Sequence, residues 1–203
     1  GLEYSKSDGP VIQRPVRSEQ DVDALINFDP GRELSFVYDA VRKIRAALAD
    51  RVPLIGFAGA PFTLASYLIE GGGSRNYVHT KKLFYSAPDA WRRLMKMLAR
   101  LIADYLNHQI AAGAQAVQIF DSWVGCLTPD DYERFAMPYT KAVIDAVTPH
   151  VPVINFSTGT AGSLKQIRSA GGDVIGLDWR VNLDEGWATV GHDVAVQGNL
   201  DPV

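Results

Sequence analysis

Residues 54–74 of the chain are Leu-Ile-Gly-Phe-Ala-Gly-Ala-Pro-Phe-Thr-Leu-Ala-Ser-Tyr-Leu-Ile-Glu-Gly-Gly-Gly-Ser. The apolar run at 52–57 is bounded by proline and glycine, which is typical of a strand covered on both faces in a parallel sheet. Ala60 precedes Pro61 and so avoids helical geometry, whereas proline suits the first position of a helix. The stretch therefore predicts a buried strand, a tight turn and a helix that ends at glycines 71–73. It places Phe57, and Tyr67 with it, near the carboxyl end of a strand, where α/β folds build their sites.

The composition is that of an ordinary globular protein. The chain has 203 residues, of which 47% are hydrophobic and 21% charged, so it is long enough to bury a sizeable core. A net charge of −3 argues against a nucleic-acid partner but allows a local basic pocket. Cys126 is the single cysteine, which excludes an internal disulfide and suits a reducing, cytoplasmic location. No apolar run approaches the roughly 20 residues that span a bilayer, and no signal peptide is present, so we expect no membrane partner.

Along the chain, strand patterns alternate with helix patterns. We predict one domain over 1–203, in which 1–30 is an extended connector with a short helix at 19–25 and 31–203 consists of successive strand–helix units. Strands are predicted at 52–57, 116–120, 152–156, 173–177 and 193–197. Helices are predicted at 32–49, from Pro61 to the glycines, at 87–112, from Thr128 onward with a break at Pro138, at 162–169 and at 184–190.

This alternation predicts an α/β fold with parallel strands and right-handed crossovers. A closed (β/α)8 barrel, the TIM barrel, typically needs about 250 residues. About five strands are predicted, and the chain ends directly after one of them. We therefore expect an incomplete TIM barrel.

Polar or aromatic residues follow several of the predicted strands. They are Phe57, the run Phe120-Asp121-Ser122-Trp123, the pair Asp178-Trp179, and residues 197–201. Any one of them could be an ordinary loop residue, but together they predict a site at one rim of the barrel.

The chemistry of these residues leaves alternatives open. Ser122 is not part of a Gly-x-Ser-x-Gly elbow, so hydrogen bonding or helix capping is favoured over nucleophilic attack. Asp121 and Asp178 could be acid–base groups or buried acceptors for loop amides. Tyr67 could act through its hydroxyl or simply pack.

The remaining candidates are weak. The four histidines are scattered and form no metal-ligand spacing with Cys126, so we expect no metal. Glycines 71–73 could cradle an anion, but a helix exit explains them as well.

Four segments resemble uroporphyrinogen decarboxylases, in the order and approximate spacing of that family. They are residues 56–73, residues 112–122 with Phe-Asp-Ser at 120–122, residues 175–179 with Gly-Leu-Asp-Trp, and residues 197–202 with Gln-Gly-Asn-Leu-Asp-Pro. The resemblance covers nearly the whole chain from about Gly9. It implies a (β/α)8 barrel, usually a homodimer, that uses neither metal nor organic cofactor. It also implies decarboxylation of the acetate side chains of uroporphyrinogen to give coproporphyrinogen in haem and porphyrin synthesis.

The resemblance assigns roles by position. Phe57 and Phe120 would line the substrate cleft, and Ser122 would hydrogen-bond a substrate acid. Tyr67, the catalytic candidate, would reach a substrate carboxylate or the reacting ring; the proton donor itself is not identified. Phe62 stands where the family often has tryptophan, a change that we expect to affect packing only.

Other parts of the family pattern have no counterpart here. These are an arginine-bearing N-terminal segment, a pyrrole-binding aspartate after an early strand, and a histidine in a C-terminal Asn-Leu-Gly-His-Gly motif. We therefore expect the chain to be the central portion of such an enzyme and, alone, neither to bind the porphyrinogen tightly nor to decarboxylate it. The alternatives are a cobalamin- or thiol-dependent methyltransferase of similar fold, whose zinc ligands a single cysteine disfavours, and a non-catalytic remnant of the barrel.

Overall fold

A computed structural model of the chain describes residues 2–5, 9–25 and 28–203. Its strands are β1 (Leu2–Ser5), β2 (Gly9–Ile12), β3 (Ile55–Gly59), β4 (Ala116–Asp121), β5 (Val153–Ser157), β6 (Val174–Leu177) and β7 (Ala195–Gly198). Its α-helices are α1 (Glu19–Asp23), α2 (Pro30–Glu33), α3 (Ser35–Leu48), α4 (Pro61–Glu70), α5 (Val78–Ser86), α6 (Pro88–Ala111), α7 (Pro129–Phe135), α8 (Met137–Ala146), α9 (Leu164–Ala170) and α10 (Leu183–Val190). Short 3₁₀ turns lie at Val124–Cys126 and Ala161–Ser163.

The main sheet is parallel and follows the order of the sequence. Its strand order is β3-β4-β5-β6-β7, so each strand pairs with the next one along the chain. Gly59 pairs with Phe120 and Phe120 with Phe156, which brings the carboxyl ends of these strands to one rim. The five predicted strands and the α/β class are confirmed, and the sheet is an incomplete barrel. Three features were not predicted: the antiparallel pair β1–β2, the helix α5, and the short helix α2, which is separate from α3 where one helix was expected at 32–49.

The stretch at 54–74 folds as its sequence predicts. Ala60 is extended, with ψ 160°, and Pro61 occupies the first turn of α4. Gly71 adopts φ +83° and donates its N–H to the carbonyl of Tyr67, which closes the helix. A Cβ at Gly71 would lie 3.2 Å from Cβ of Pro15. The first of the three glycines is therefore a helix C-cap, which is the role glycine most often fills at a left-handed position.

Helix α6 forms the centre of the packed side of the sheet. Trp91 is 1% exposed and donates its indole N–H to the carbonyl of Phe135 at 3.1 Å. Its ring meets the edges of Phe62 at 6.0 Å and of Phe84 at 5.4 Å. Phe62 is fully buried, so its position in the core agrees with the expected packing role.

The break expected at Pro138 divides one helix pattern into α7 and α8. Thr128 caps α7, because its hydroxyl oxygen accepts the backbone N–H of Asp131 at 3.1 Å. The chain leaves helical geometry at Ala136, and Pro138 lies in the first turn of α8. A proline in that turn loses no intrahelical hydrogen bond.

The two faces of the sheet differ in burial. Along β4, Val117, Ile119 and Asp121 are buried, whereas Gln118 and Phe120 on the other face are half-buried. The helices pack on the first face, and the second is the concave face of the barrel arc. Among the described residues, no helix combines the length and apolar character that crossing a bilayer requires.

Candidate functional site

Three phenylalanines form a row on the concave face of the sheet, which we call the aromatic row: Phe57, Phe120 and Phe156. The ring centroids of Phe57 and Phe120 are 5.9 Å apart, those of Phe120 and Phe156 are 5.7 Å apart, and both pairs meet edge to face. On β6, a Cβ at Gly176 would lie 2.5 Å from the Phe156 ring, so any residue other than glycine there would displace the ring. Phe57 is 61% exposed. The row therefore offers an aromatic wall to a ligand in the barrel mouth.

A second feature, the rim cavity, lies at the carboxyl ends of β4, β5 and β6 and has a volume of about 370 Å³. Ser122 and Trp123 line it after β4, Thr158 lines it after β5, and Arg180 lines it after β6. Arg75 and Tyr77, from the loop between α4 and α5, complete this wall. Thr158 donates its hydroxyl to the carbonyl of Ser122 at 2.6 Å, which joins the ends of β4 and β5.

Tyr67 adjoins the rim cavity through an aromatic contact. Its ring meets the edge of Trp123 at 5.8 Å, and Trp123 in turn lies 5.7 Å from Tyr77. Burial raises the pKa of the Tyr77 phenol far above its usual value, so that hydroxyl stays neutral. The Tyr67–Trp123–Tyr77 cluster thus forms one side of the site.

Asp121 faces away from the concave face, into the protein. It is 1% exposed, and its Oδ1 accepts the hydroxyl of Thr63 at 2.8 Å. Its Oδ2 has no hydrogen-bond partner among the described residues. Burial raises the pKa of this carboxyl to about 7, although the hydrogen bonds from Thr63 act to lower it. Asp121 therefore links β4 to the first turn of α4 and does not line the cleft.

Asp178 is buried as well and holds two loop groups at the rim. Its Oδ2 accepts the backbone N–H of Gly159 at 2.5 Å and the guanidinium Nη1 of Arg180 at 2.8 Å. Its Oδ1 accepts the backbone N–H of Arg180 at 2.9 Å. The guanidinium of Arg180 also stacks on Trp179, 3.7 Å from the ring centroid. The structure thus favours the buried-acceptor alternative for both aspartates.

The strand-end residues do not all converge. Phe57 and Phe120 belong to the aromatic row and Ser122 and Trp123 line the rim cavity, whereas Asp121 and Asp178 are buried. In the stretch 197–201, Asn199 instead donates its side-chain amide to the carbonyl of Val181, and Leu200 is 93% exposed. None of the described residues of that stretch lines the rim cavity.

Sequence reasoning did not single out Arg75, Arg180 or Thr158. The available signal was that Arg180 directly follows Asp178-Trp179 at a strand end. Arg75 follows the glycines that end α4, and nothing in the neighbouring sequence indicates that it lies near the ends of β4 and β6.

Cys126 is not activated. Burial raises the pKa of its thiol to about 11, despite the nearby Lys81, whose ammonium donates to the Cys126 carbonyl at 2.8 Å. Within the described ranges, no three His, Cys, Asp or Glu side chains are grouped so as to hold a metal ion.

Parallel strands in sequence order and helices on one face define an α/β barrel protein, and the candidate site lies at the carboxyl rim, where barrels of this kind carry their sites. Comparison with solved structures agrees: a methyltransferase from Methanosarcina mazei superposes with a TM-score of 0.80 over 98% of this chain and 59% of its own. At 17% sequence identity, that likeness concerns the fold alone.

Comparison with the sequences of known proteins identifies the family of this chain. The model of the uroporphyrinogen decarboxylase family matches residues 1–203, and the chain belongs to this family. It is 52% identical over its whole length to the uroporphyrinogen decarboxylases of Solibacter usitatus and Carboxydothermus hydrogenoformans. The chain spans 59% and 58% of the lengths of these two relatives.

Proposed function

We propose that this chain forms part of the substrate cleft of an enzyme that decarboxylates the acetate side chains of uroporphyrinogen, giving coproporphyrinogen. The observation that carries the proposal is the aromatic row next to a cavity lined by Arg75 and Arg180. Aromatic rings suit the flat faces of pyrroles, and guanidinium groups suit their carboxylates. Membership of the family and the names of the relatives support the same activity.

The reaction can use the substrate's own pyrrole as its electron sink. Protonation of the ring carbon next to the one that bears the acetate gives a cation whose positive charge extends onto the acetate-bearing carbon. The bond between the acetate methylene and its carboxylate then breaks, its electron pair enters the cation, and carbon dioxide leaves. The methylene carbon takes up a proton and becomes a methyl group, while the ring carbon releases its proton. One proton is consumed for each carbon dioxide released, and the protein must supply a proton donor and stabilise the charges.

The four site residues divide these tasks. Phe57 and Phe120 form the wall against which a pyrrole stacks. Tyr67 is the catalytic residue of this set, acting on a substrate carboxylate or on the reacting ring, and Ser122 hydrogen-bonds a substrate acid. The Ser122 and Tyr67 hydroxyls form no hydrogen bonds with other described residues, which leaves both free for a ligand.

We also propose that the 203 residues by themselves do not catalyse the reaction at a measurable rate. A carboxylate facing the pyrrole nitrogens would stabilise the cation, but Asp121 and Asp178 are buried and hold protein groups. Formation of coproporphyrinogen by the purified chain would overturn this part of the proposal.

The intact enzyme is proposed to be a cytoplasmic homodimer that needs neither metal nor organic cofactor. Light scattering on the active protein tests the dimer, and dialysis against a chelator should leave the rate unchanged. The methyltransferase neighbour shares only the fold, so no second activity is proposed.

The experiment is a chimera in which this chain replaces the matching part of the Solibacter usitatus enzyme. The chimera is incubated with uroporphyrinogen, and the products are oxidised to porphyrins and separated by their number of carboxyl groups. We expect coproporphyrinogen to accumulate. A chimera that has a cooperative thermal transition and yields no decarboxylated product would contradict the proposal.

Two variants of the chimera test the residue roles. We expect Tyr67→Phe and Ser122→Ala each to lower kcat/KM by about tenfold or more, because each removes a hydrogen bond to a charged or reacting group. A loss in kcat assigns Tyr67 to the reacting ring, and a rise in KM assigns it to a carboxylate. Tyr139→Phe on α8 and Ser169→Ala on α9 are the matched controls, and we expect both to retain full activity. Unchanged kinetics in Tyr67→Phe would remove Tyr67 from the site.

A further inference from the structure

The rim cavity carries a positive charge, and the function proposed above does not say which carboxylate of the substrate it would bind. Two of its lining residues, Arg75 and Arg180, bear guanidinium groups, and none of its lining residues bears a carboxylate. Arg75 has no ion-pair or hydrogen-bond partner among the described residues. An exposed arginine at the edge of the cavity can turn its donors toward an anion.

Arg180 is oriented toward the same cavity by its neighbours. Its Nη1 is bonded to Asp178 and its plane is stacked on Trp179, yet its side chain remains 49% exposed, whereas that of Asp178 is 3% exposed. A guanidinium has five N–H donors, so one bond to Asp178 leaves donors for a ligand. Because its position is already restricted, less rotamer entropy is lost when a ligand binds.

Ser122 joins the two arginines to the aromatic row. It lies two residues beyond Phe120, so a ring stacked on Phe120 and a group bonded to Ser122 can belong to one molecule. Trp123, packed between Tyr67 and Tyr77, forms an apolar side of the cavity. Such a side reduces the contact of a bound ion pair with water and strengthens its hydrogen bonds.

We propose that Arg75, Arg180 and Ser122 form a carboxylate subsite that binds an acid side chain of the substrate other than the acetate being removed. The proposal rests on the function proposed above and extends it by assigning Arg75 and Arg180 to one particular class of substrate carboxylate. Two guanidinium groups and a hydroxyl match the acceptors of one carboxylate, and Asp178 is a positioning residue for Arg180. The subsite would hold the macrocycle by its edge while the reacting pyrrole lies against the aromatic row.

The test measures binding of coproporphyrin to the chimera described above by fluorescence quenching. The variants are Arg75→Gln, Arg180→Gln and Arg180→Lys. The control is Arg168→Gln, because Arg168 also pairs with an aspartate, Asp193, at 3.1 Å, but lies away from the rim cavity. The tetramethyl ester of coproporphyrin serves as the uncharged probe, and thermal melting verifies that each variant is folded.

We expect Arg180→Gln to weaken coproporphyrin binding about tenfold, since a charge-assisted hydrogen bond is lost. Arg75→Gln should weaken it by a smaller factor, and Arg180→Lys should fall between wild type and Arg180→Gln because lysine keeps the charge without the planar fork. Arg168→Gln should bind as wild type does. The ester should bind all five proteins equally.

The outcomes separate the two proposals. If wild type binds coproporphyrin and the arginine variants bind it equally well, the subsite is overturned and the decarboxylase proposal stands. If the arginine dependence is found but the folded chimera does not decarboxylate uroporphyrinogen, the arginines bind a porphyrin carboxylate and the proposed function is overturned. A folded chimera with the unaltered segment that does not bind coproporphyrin overturns the subsite as well.

Discussion

Phe62 and Phe57 lie five residues apart in the same strand–turn–helix, yet their surroundings are opposite. Phe62 is fully buried against Trp91 on the helix side, whereas Phe57 is 61% exposed on the concave face. The same alternation runs along β4, where Ile119 is buried and Phe120 is half-buried. The difference shows that one face of this sheet maintains the fold and the other is available to a ligand. Each of the predictions below tests that division.

The largest effect should come from the two phenylalanines themselves. We expect Phe62→Ala to lower the free energy of unfolding by about 3–5 kcal/mol, because it leaves a cavity in a packed core. Phe57→Ala should lower it by less than about 1 kcal/mol, because most of that side chain is already in water. Urea unfolding of both variants gives the comparison. Equal losses would show that the concave face is as important for stability as the core.

The next effect concerns Asp121, the buried titratable carboxyl on the packed face. Burial raises its pKa from 3.8 to about 7, so between these values the folded protein keeps this carboxyl protonated while the unfolded chain ionises it. The folded state then binds more protons, and stability falls as the pH rises from about 4 to about 7. Above that range both states are ionised, and the penalty remains constant.

Asp121→Asn removes this pH dependence. As the pH rises from 5 to 8, we expect the free energy of unfolding of wild type to fall relative to that of the variant by on the order of 2–3 kcal/mol. Asp130→Asn on the exposed side of α7 is the control. Parallel stability curves for wild type and Asp121→Asn would mean that the carboxyl ionises normally in the folded protein.

The smallest effect separates two of the three glycines. Gly71 has φ +83° and its Cβ would press on Pro15, whereas a Cβ at Gly73 would meet nothing within 4 Å. We expect Gly71→Ala to lower the free energy of unfolding by about 1–2 kcal/mol and Gly73→Ala to change it by less than about 0.5 kcal/mol. Thermal melting of the two variants measures the difference. A strong loss in Gly73→Ala would place that glycine on the packed side too.

Much of the architecture could be predicted because its signals are local. Pro61 and Gly71 mark the two ends of α4, and Thr128 and Pro138 mark the start of α7 and the break before α8. Repetition of strand and helix then implies parallel pairing. Helix α5 was missed because its sequence, Val-His-Thr-Lys-Lys-Leu-Phe-Tyr-Ser, has only a weak apolar stripe. The pair β1–β2 was missed because the connector is rich in turn-forming residues.

The candidate site was predicted in outline and incompletely in its residues. Phe57, Phe120 and Ser122 follow strands, so their place at one rim follows from parallel topology. Whether Asp121 and Asp178 face the cleft or the interior could not be decided, because that depends on which distant groups approach them. Thr63 is that partner for Asp121, and Gly159 is that partner for Asp178.

By itself, the sequence determined the order of strands and helices, their parallel arrangement, the family and the rim on which a site would lie. These properties depend on residues a few positions apart, through proline and glycine geometry and the period of apolar side chains. Only the tertiary structure decided that Asp121 is buried, that Asp178 accepts the backbone N–H of Gly159, and that Arg75, Ser122 and Arg180 line one cavity. These properties arise where segments far apart in the chain meet, and the local sequence pattern of one segment does not indicate which other segments will contact it.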